Sequence, residues 1–161
     1  MKKDAIIDKS RIEPKPNTIV SCRKDGKDNA LVVGFASNAS LEPSMVMVGI
    51  VPTRYSYDMI KDTGKFVVNI PGKDFADEFN YLGTVSGRDE DKLADINTVD
   101  GDIVDAPILT DCPVNFECTV VTSVKPEDGT HELFIAKVEK VHCDEEYLED
   151  GIIQRDRIDL L

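Results

Sequence analysis

The chain has 161 residues, enough for one domain with a continuous core that needs no staples. Its 31 acidic and 19 basic residues leave a net charge of -12, which excludes nucleic acid or an anionic membrane surface as the main partner. Four scattered cysteines (Cys22, Cys112, Cys118, Cys143) and only two histidines (His131, His142) argue against a disulfide scaffold and against a metal site.

The start, Met1-Lys2-Lys3-Asp4, carries no apolar segment of signal-peptide length, and no apolar run reaches the roughly 18 residues of a membrane helix. A reduced cytoplasmic protein is the simplest reading. Residues 1–15 are charged and contain Pro14, with Pro16 just beyond, so an extended lead-in is expected there. Thr18 to Arg23 reads as a strand, and Asp25-Gly26 is the kind of pair that turns a hairpin into the next strand at Asn29.

Two apolar runs follow, Ala30 to Ala36 and Met45 to Val51, and their continuous character predicts strands covered on both faces. Between them Ser37 to Pro43 reads as a hydroxyl-rich loop whose backbone N–H groups could reach a ligand. At Thr53 the periodicity turns helical. Thr53 is placed to cap a helix running to about Thr63, and Gly64 stands where a left-handed C-terminal residue is wanted.

That helix start is the first candidate site. Its free N–H groups, the hydroxyls of Thr53 and Ser56 and the Arg54 guanidinium suit a phosphate dianion. The plain alternative is that Thr53 only caps and Arg54 pairs with Asp58.

Lys65 to Ile70 reads as a strand closed by Pro71-Gly72, and Asp74 to Leu82 as a short amphipathic helix. The second candidate is Ser86-Gly87-Arg88 with Lys92, where a glycine permits close approach and two cations suit phosphate. The spacing matches neither a P-loop nor a dinucleotide fingerprint. Asp89 to Ile96 reads as a charged helix. Val114 onward alternates as a half-buried strand with a bulge near Val121, and His131 to His142 is its return strand across a turn at Glu127 to Thr130. His131, beside that turn, could donate a hydrogen bond or move a proton. The chain turns again at Asp150-Gly151 and stops on Leu160-Leu161, an apolar ending that implies a further C-terminal segment or packing against something else.

Several of these stretches, in order, resemble the flavin-reductase-like family of FMN-binding split barrels, and its flavoredoxin-like branch. The pieces are Pro16 to Ser21, Asn29, the segment to Pro43, Arg54-Tyr55-Ser56-Tyr57-Asp58 with Ile60, Phe66-Val67-Val68-Asn69-Ile70-Pro71, Val85-Ser86-Gly87-Arg88 with Asp91-Lys92, Phe116-Glu117-Cys118, and Gly129-x-His131. The resemblance implies a mainly β fold with flanking helices: a single domain over residues 1–161, built as a six-stranded antiparallel split barrel.

It further implies a homodimer that holds FMN, with FAD as a possible substitute, and uses NADH or NADPH as co-substrate. Phe35, Ala36, Ser37 and Asn38 would line the flavin ring; Thr53, Arg54, Tyr55 and Ser56 would face its phosphate and ribityl chain; Ser86, Gly87, Arg88 and Lys92 would close the site; His131 would lie where a nicotinamide docks. The implied activity is an NAD(P)H-dependent flavin oxidoreductase. The alternatives are an electron carrier docking a redox partner protein, and a flavin-free structural dimer.

Overall fold

The computed structural model describes residues 1–161. Its first hairpin joins β1 (Ile19–Lys24) to β2 (Lys27–Val32) through Asp25-Gly26. Both turn residues take positive φ, 52° and 73°, as a two-residue turn matched to strand twist requires. β3 (Phe35–Leu41) and β4 (Ser44–Ile50) form the next hairpin, followed by α1 (Tyr55–Thr63) and β5 (Lys65–Ile70). Then come α2 (Ala76–Thr84), two short strands β6 (Thr98–Asp100) and β7 (Pro107–Leu109), and the long pair β8 (Val114–Val124) and β9 (Glu132–Cys143). A small hairpin, β10 (Leu148–Glu149) and β11 (Ile152–Ile153), precedes the C-terminus. No helix is long and apolar enough to cross a membrane.

The main sheet runs β2-β1-β5-β8-β9-β4-β3, with every recorded pairing antiparallel. β2 and β3 follow each other in the chain yet occupy opposite edges. The bend at Val33-Gly34 carries one stretch from edge to edge and so wraps the sheet into the expected six-stranded barrel, one strand being bent. The apolar run 30–36 is therefore divided rather than a single straight strand.

The barrel interior is one cluster that includes Val20, Val33, Val48, Phe66, Phe134 and Ala136, joined by Met59 and Ile60 from α1. On the outer face of β1 and β2, Ile19 and Ala30 pack with Phe75, Leu82 and Leu109. Val67 on β5 is covered by Val104, Ala106 and Ile108. Burial on both faces accounts for the apolar character of β1, β2 and β5, whereas the run from Met45 is only half-buried until Val48 and the run from Phe35 is mostly exposed, so the expected cover on both faces does not extend to β3 and β4.

Buried polar groups fix the covering segments. Asn69, fully buried, donates to Ser21 Oγ (2.9 Å) and accepts from the Leu109 N–H (3.1 Å) and Asn115 Nδ2 (2.8 Å). Glu117 Oε1 accepts the N–H groups of Ile103 (2.8 Å) and Val104 (3.0 Å), while Oε2 meets His142 Nε2 at 2.7 Å. Burial pushes the Glu117 carboxyl up, and the Val104, His142 and Ile103 hydrogen bonds outweigh it, so its pKa lies below the usual value. These bonds hold the 98–109 excursion, whose two short strands lack a pattern long enough to recognise.

Three local expectations are corrected. Ser37 to Leu41 is strand, not loop, because Ser37, Asn38, Ser40 and Leu41 find partners on β4; a register shift between Asn38 and Ser40 absorbs Ala39. The turn is confined to Glu42-Pro43. Thr53 does not cap α1: Arg54 is the N-cap residue and no side chain closes that end. Asp89 to Ile96 forms successive turns rather than a helix, since Lys92 and Leu93 both turn inward and are buried. At the other end of α1 the expectation holds, with Gly64 at φ 67° donating to Ile60 O (2.8 Å).

The C-terminal residues lie against the barrel. Leu161 donates to Pro71 O (3.2 Å), Asn17 Nδ2 donates to Leu161 O (2.8 Å), and Leu160 bridges to Gly72. The apolar ending thus packs on the chain's own lead-in and on the segment after β5.

Candidate functional site: a cationic pocket at the start of helix α1

Helix α1 begins where β4 leaves the barrel, so the fold fixes both the position and the direction of its N-terminus. The first N–H groups of a helix have no acceptor within it and carry partial positive charge. The Tyr57 N–H donates to Arg54 O (3.0 Å), and with no side chain capping this end those of Tyr55 and Ser56 stay available to a ligand. Asn29 on β2 anchors the start: its Nδ2 donates to Ser56 Oγ at 2.7 Å, both residues being buried. The Cys22 thiol beneath it donates to the Met59 sulfur (3.8 Å), and burial pushes its pKa up to about 12. Burial lifts Cys112 and Cys118 to about 12 as well, so these thiols stay neutral and unreactive at neutral pH.

The segment after α2 forms the opposite wall. A Cβ on Gly87 would lie 2.5 Å from Asn29 Oδ1 and 2.5 Å from Tyr55 Cδ1, so only glycine fits there. Arg88 Nη1 donates to Thr53 O (3.0 Å), and its guanidinium stands 5.7 Å from the Tyr55 ring centre, tying the two walls together. The turns over 89–96 bring Lys92 back, 3% exposed, to donate to Leu82 O at 2.7 Å. Burial and then the nearby Arg54 charge lower Lys92 to about 8.

Between these walls lies a pocket of about 150 Å³. Thr53, Arg54, Tyr55, Ser56, Ser86, Gly87, Arg88 and Lys92 all line it, which joins the two stretches singled out in the sequence. Asn29, Leu31 and Val32 from β2 and the run Leu82 to Val85 complete the lining. Sequence reasoning did not assign these to the site. Asn29 stood out only as a motif position, and β2 reaches the pocket through tertiary packing alone.

The pocket contains no aspartate or glutamate, and none of Arg54, Arg88 or Lys92 makes an ion pair. The alternative pairing of Arg54 with Asp58 does not form. Three unneutralised cations gathered in a protein of net charge -12 make a site for an anion, and the uncapped helix start adds N–H donors.

The remaining expected residues lie elsewhere. Phe35 is 39% exposed and packs against His131, ring centres 4.6 Å apart. Gly49, across from Phe35 on β4, leaves room for this pair: a Cβ there would sit 3.2 Å from Phe35 Cβ and 3.6 Å from His131 Cβ. Thr130 Oγ1 lies 2.8 Å from His131 Nδ1. Burial and then the Arg54 charge lower the His131 pKa, which favours the neutral imidazole. Ala36, Ser37 and Asn38 line a different, larger cavity at the far mouth of the barrel.

The family model of the flavin reductase like domain matches residues 10–159. The solved structure of flavoredoxin from Methanosarcina acetivorans is 28% identical and superposes with a TM-score of 0.92, covering 100% of this chain and 86% of that one. Flavoredoxin of Desulfovibrio vulgaris (Miyazaki F) is 27% identical, with a TM-score of 0.83 over 95% of this chain and 82% of that one. An uncharacterized protein of Archaeoglobus fulgidus is 32% identical over 114 residues, 70% of this chain and 63% of that relative's length. The chain thus belongs to the flavin-reductase-like family, within its flavoredoxin-like branch.

Proposed function

We propose that the chain binds FMN through its phosphate in the α1 pocket and works as an oxidoreductase with NADH or NADPH as electron donor. The observation that carries this reading is the pocket itself: Arg54, Arg88 and Lys92, without a carboxylate among them, around an uncapped helix N-terminus. Membership of the family and the likeness to two flavoredoxins support a flavin in particular.

At about 150 Å³ the pocket is smaller than the roughly 300–1,000 Å³ that encloses a whole drug-sized ligand, so it takes the phosphorylated end. In this reading Arg54 and the α1 N–H groups bind the phosphate, Lys92 adds charge from below, and Arg88 holds the two walls at fixed separation. Asn29 and Ser56 orient the helix start. Phe35 and His131 offer an apolar and hydrogen-bonding face for the ring and the donor. The flavin, when bound, supplies the hydride and electron chemistry.

The net charge of -12 favours a second reading, an electron carrier whose acidic surface docks a redox partner protein. One preparation separates them. Protein loaded with FMN should lose its visible flavin absorption on addition of NADH or NADPH under anaerobic conditions. Bleaching only by dithionite or a reduced partner protein supports the carrier, and failure to retain FMN on gel filtration rejects both.

A further inference from the structure

We infer that the far mouth of the barrel is a second binding site, for a small carboxylate with an apolar or aromatic body. A cavity of about 360 Å³ lies there, within the size range of small-molecule pockets and sharing no residue with the cationic pocket. Its walls are the barrel's own interior side chains, Val46, Ile70 and Phe116 among them. Core packing ordinarily fills such a space, since interiors are packed as tightly as organic crystals. Here α1 contributes Met59 and Ile60 to the interior cluster, and the 360 Å³ cavity stays open.

The rim is made from both ends of the chain. Pro14 and Pro16 of the lead-in and Ile153, Ile158 and Leu160 near the C-terminus line the cavity's mouth. Hydrogen bonds from Asn17 to Leu161 and from Leu161 to Pro71 hold the two ends together. The chamber is half open, and a ligand's apolar part would be withdrawn from water against its inner wall of Val48, Val68 and Ile70, the main favourable term for such binding.

Charge then selects the ligand. Lys15 and Arg155 line the cavity, neither makes an ion pair, and no aspartate or glutamate is among the lining residues. Ser37 and Asn38 add polar groups at the same place. In an acidic protein, an apolar chamber with two free cations matches an apolar acid rather than an amine or a neutral hydrocarbon.

The test is titration calorimetry of the purified full chain with phenylpropionate and, in parallel, phenylpropionamide. The acid should bind at one site, and the amide at least about tenfold more weakly, the loss expected for one charge-assisted hydrogen bond. Lys15→Met/Arg155→Met, at two exposed positions, should reduce the acid to the amide's affinity. Ile70→Trp, which fills the chamber, should abolish both. Arg54→Ala should leave acid binding unchanged, because Arg54 belongs to the other pocket. No binding, equal affinity for acid and amide, indifference to the double variant, or loss in Arg54→Ala would each overturn the inference. Failure of FMN to bind the α1 pocket leaves it standing, so the two readings fail separately.

Discussion

Gly87 rests directly against Asn29, and a single added carbon on Gly87 would stand 2.5 Å from the Asn29 Oδ1. The same carbon would strike the Tyr55 ring, so both walls of the pocket meet at this glycine. Gly87→Ala should displace Asn29, break its bond to Ser56 and shift the first turn of α1. The expected outcome is a loss in FMN affinity of at least about tenfold, from the hydrogen bond and anion geometry together, measured by quenching of flavin fluorescence. Wild-type affinity in Gly87→Ala would show that this contact does not shape the pocket.

Arg54 separates binding from stability. It makes no ion pair and no recorded side-chain hydrogen bond, so Arg54→Ala should leave the thermal midpoint close to wild type, within roughly 0.5 kcal/mol. FMN binding should weaken by about 1–3 kcal/mol, as for loss of a charge-assisted hydrogen bond. Paired thermal scans and flavin titrations check both halves; an unchanged Kd would remove Arg54 from the site.

Lys92 sets a pH limit on binding. Its folded pKa is lowered to about 8, so in the free protein it is charged below that pH and neutral above it. A phosphate dianion favours the charged form. Affinity for FMN should therefore be full near neutrality and decline as pH rises through about 8. In Lys92→Met the overall affinity should be lower and this alkaline decline absent. An identical pH profile in the two proteins would exclude Lys92.

Glu132 should govern part of the acid stability. Its carboxylate, 4% exposed, takes hydrogen bonds from Lys61, Tyr57 and Ser123. Burial raises its pKa and those three partners outweigh it, leaving it near 2 against an ordinary 4.5. A folded pKa below the unfolded one contributes stability that is complete above 4.5 and is lost as pH falls toward 2. Glu132→Gln should cost about 1–3 kcal/mol at neutral pH and flatten the fall in thermal midpoint over that acid window. Parallel slopes for variant and wild type would place the acid sensitivity elsewhere.

Local chemistry in the sequence was enough to place the first hairpin at Asp25-Gly26, the end of α1 at Gly64 and the long β8–β9 pair. In each case the signal lies within a few residues: positive-φ turn pairs, an alternating apolar face, a glycine after a helical period. The Arg54 and Gly87 stretches were likewise legible as small or charged residues where phosphate chemistry wants them. Tertiary structure alone decided the rest. Ser37 to Leu41 became a strand because β4 offers partners, against the turn preference of its serines and asparagine. Asp89 to Ile96 gave up its helical pattern so that Lys92 and Leu93 could turn inward. Asn29 reaches Ser56 and Gly87 only because β2 passes beneath α1, a contact between residues 27 and 58 positions apart that no local pattern encodes. Backbone propensity acts over one turn of chain, whereas burial and charge are settled by whatever the barrel brings alongside.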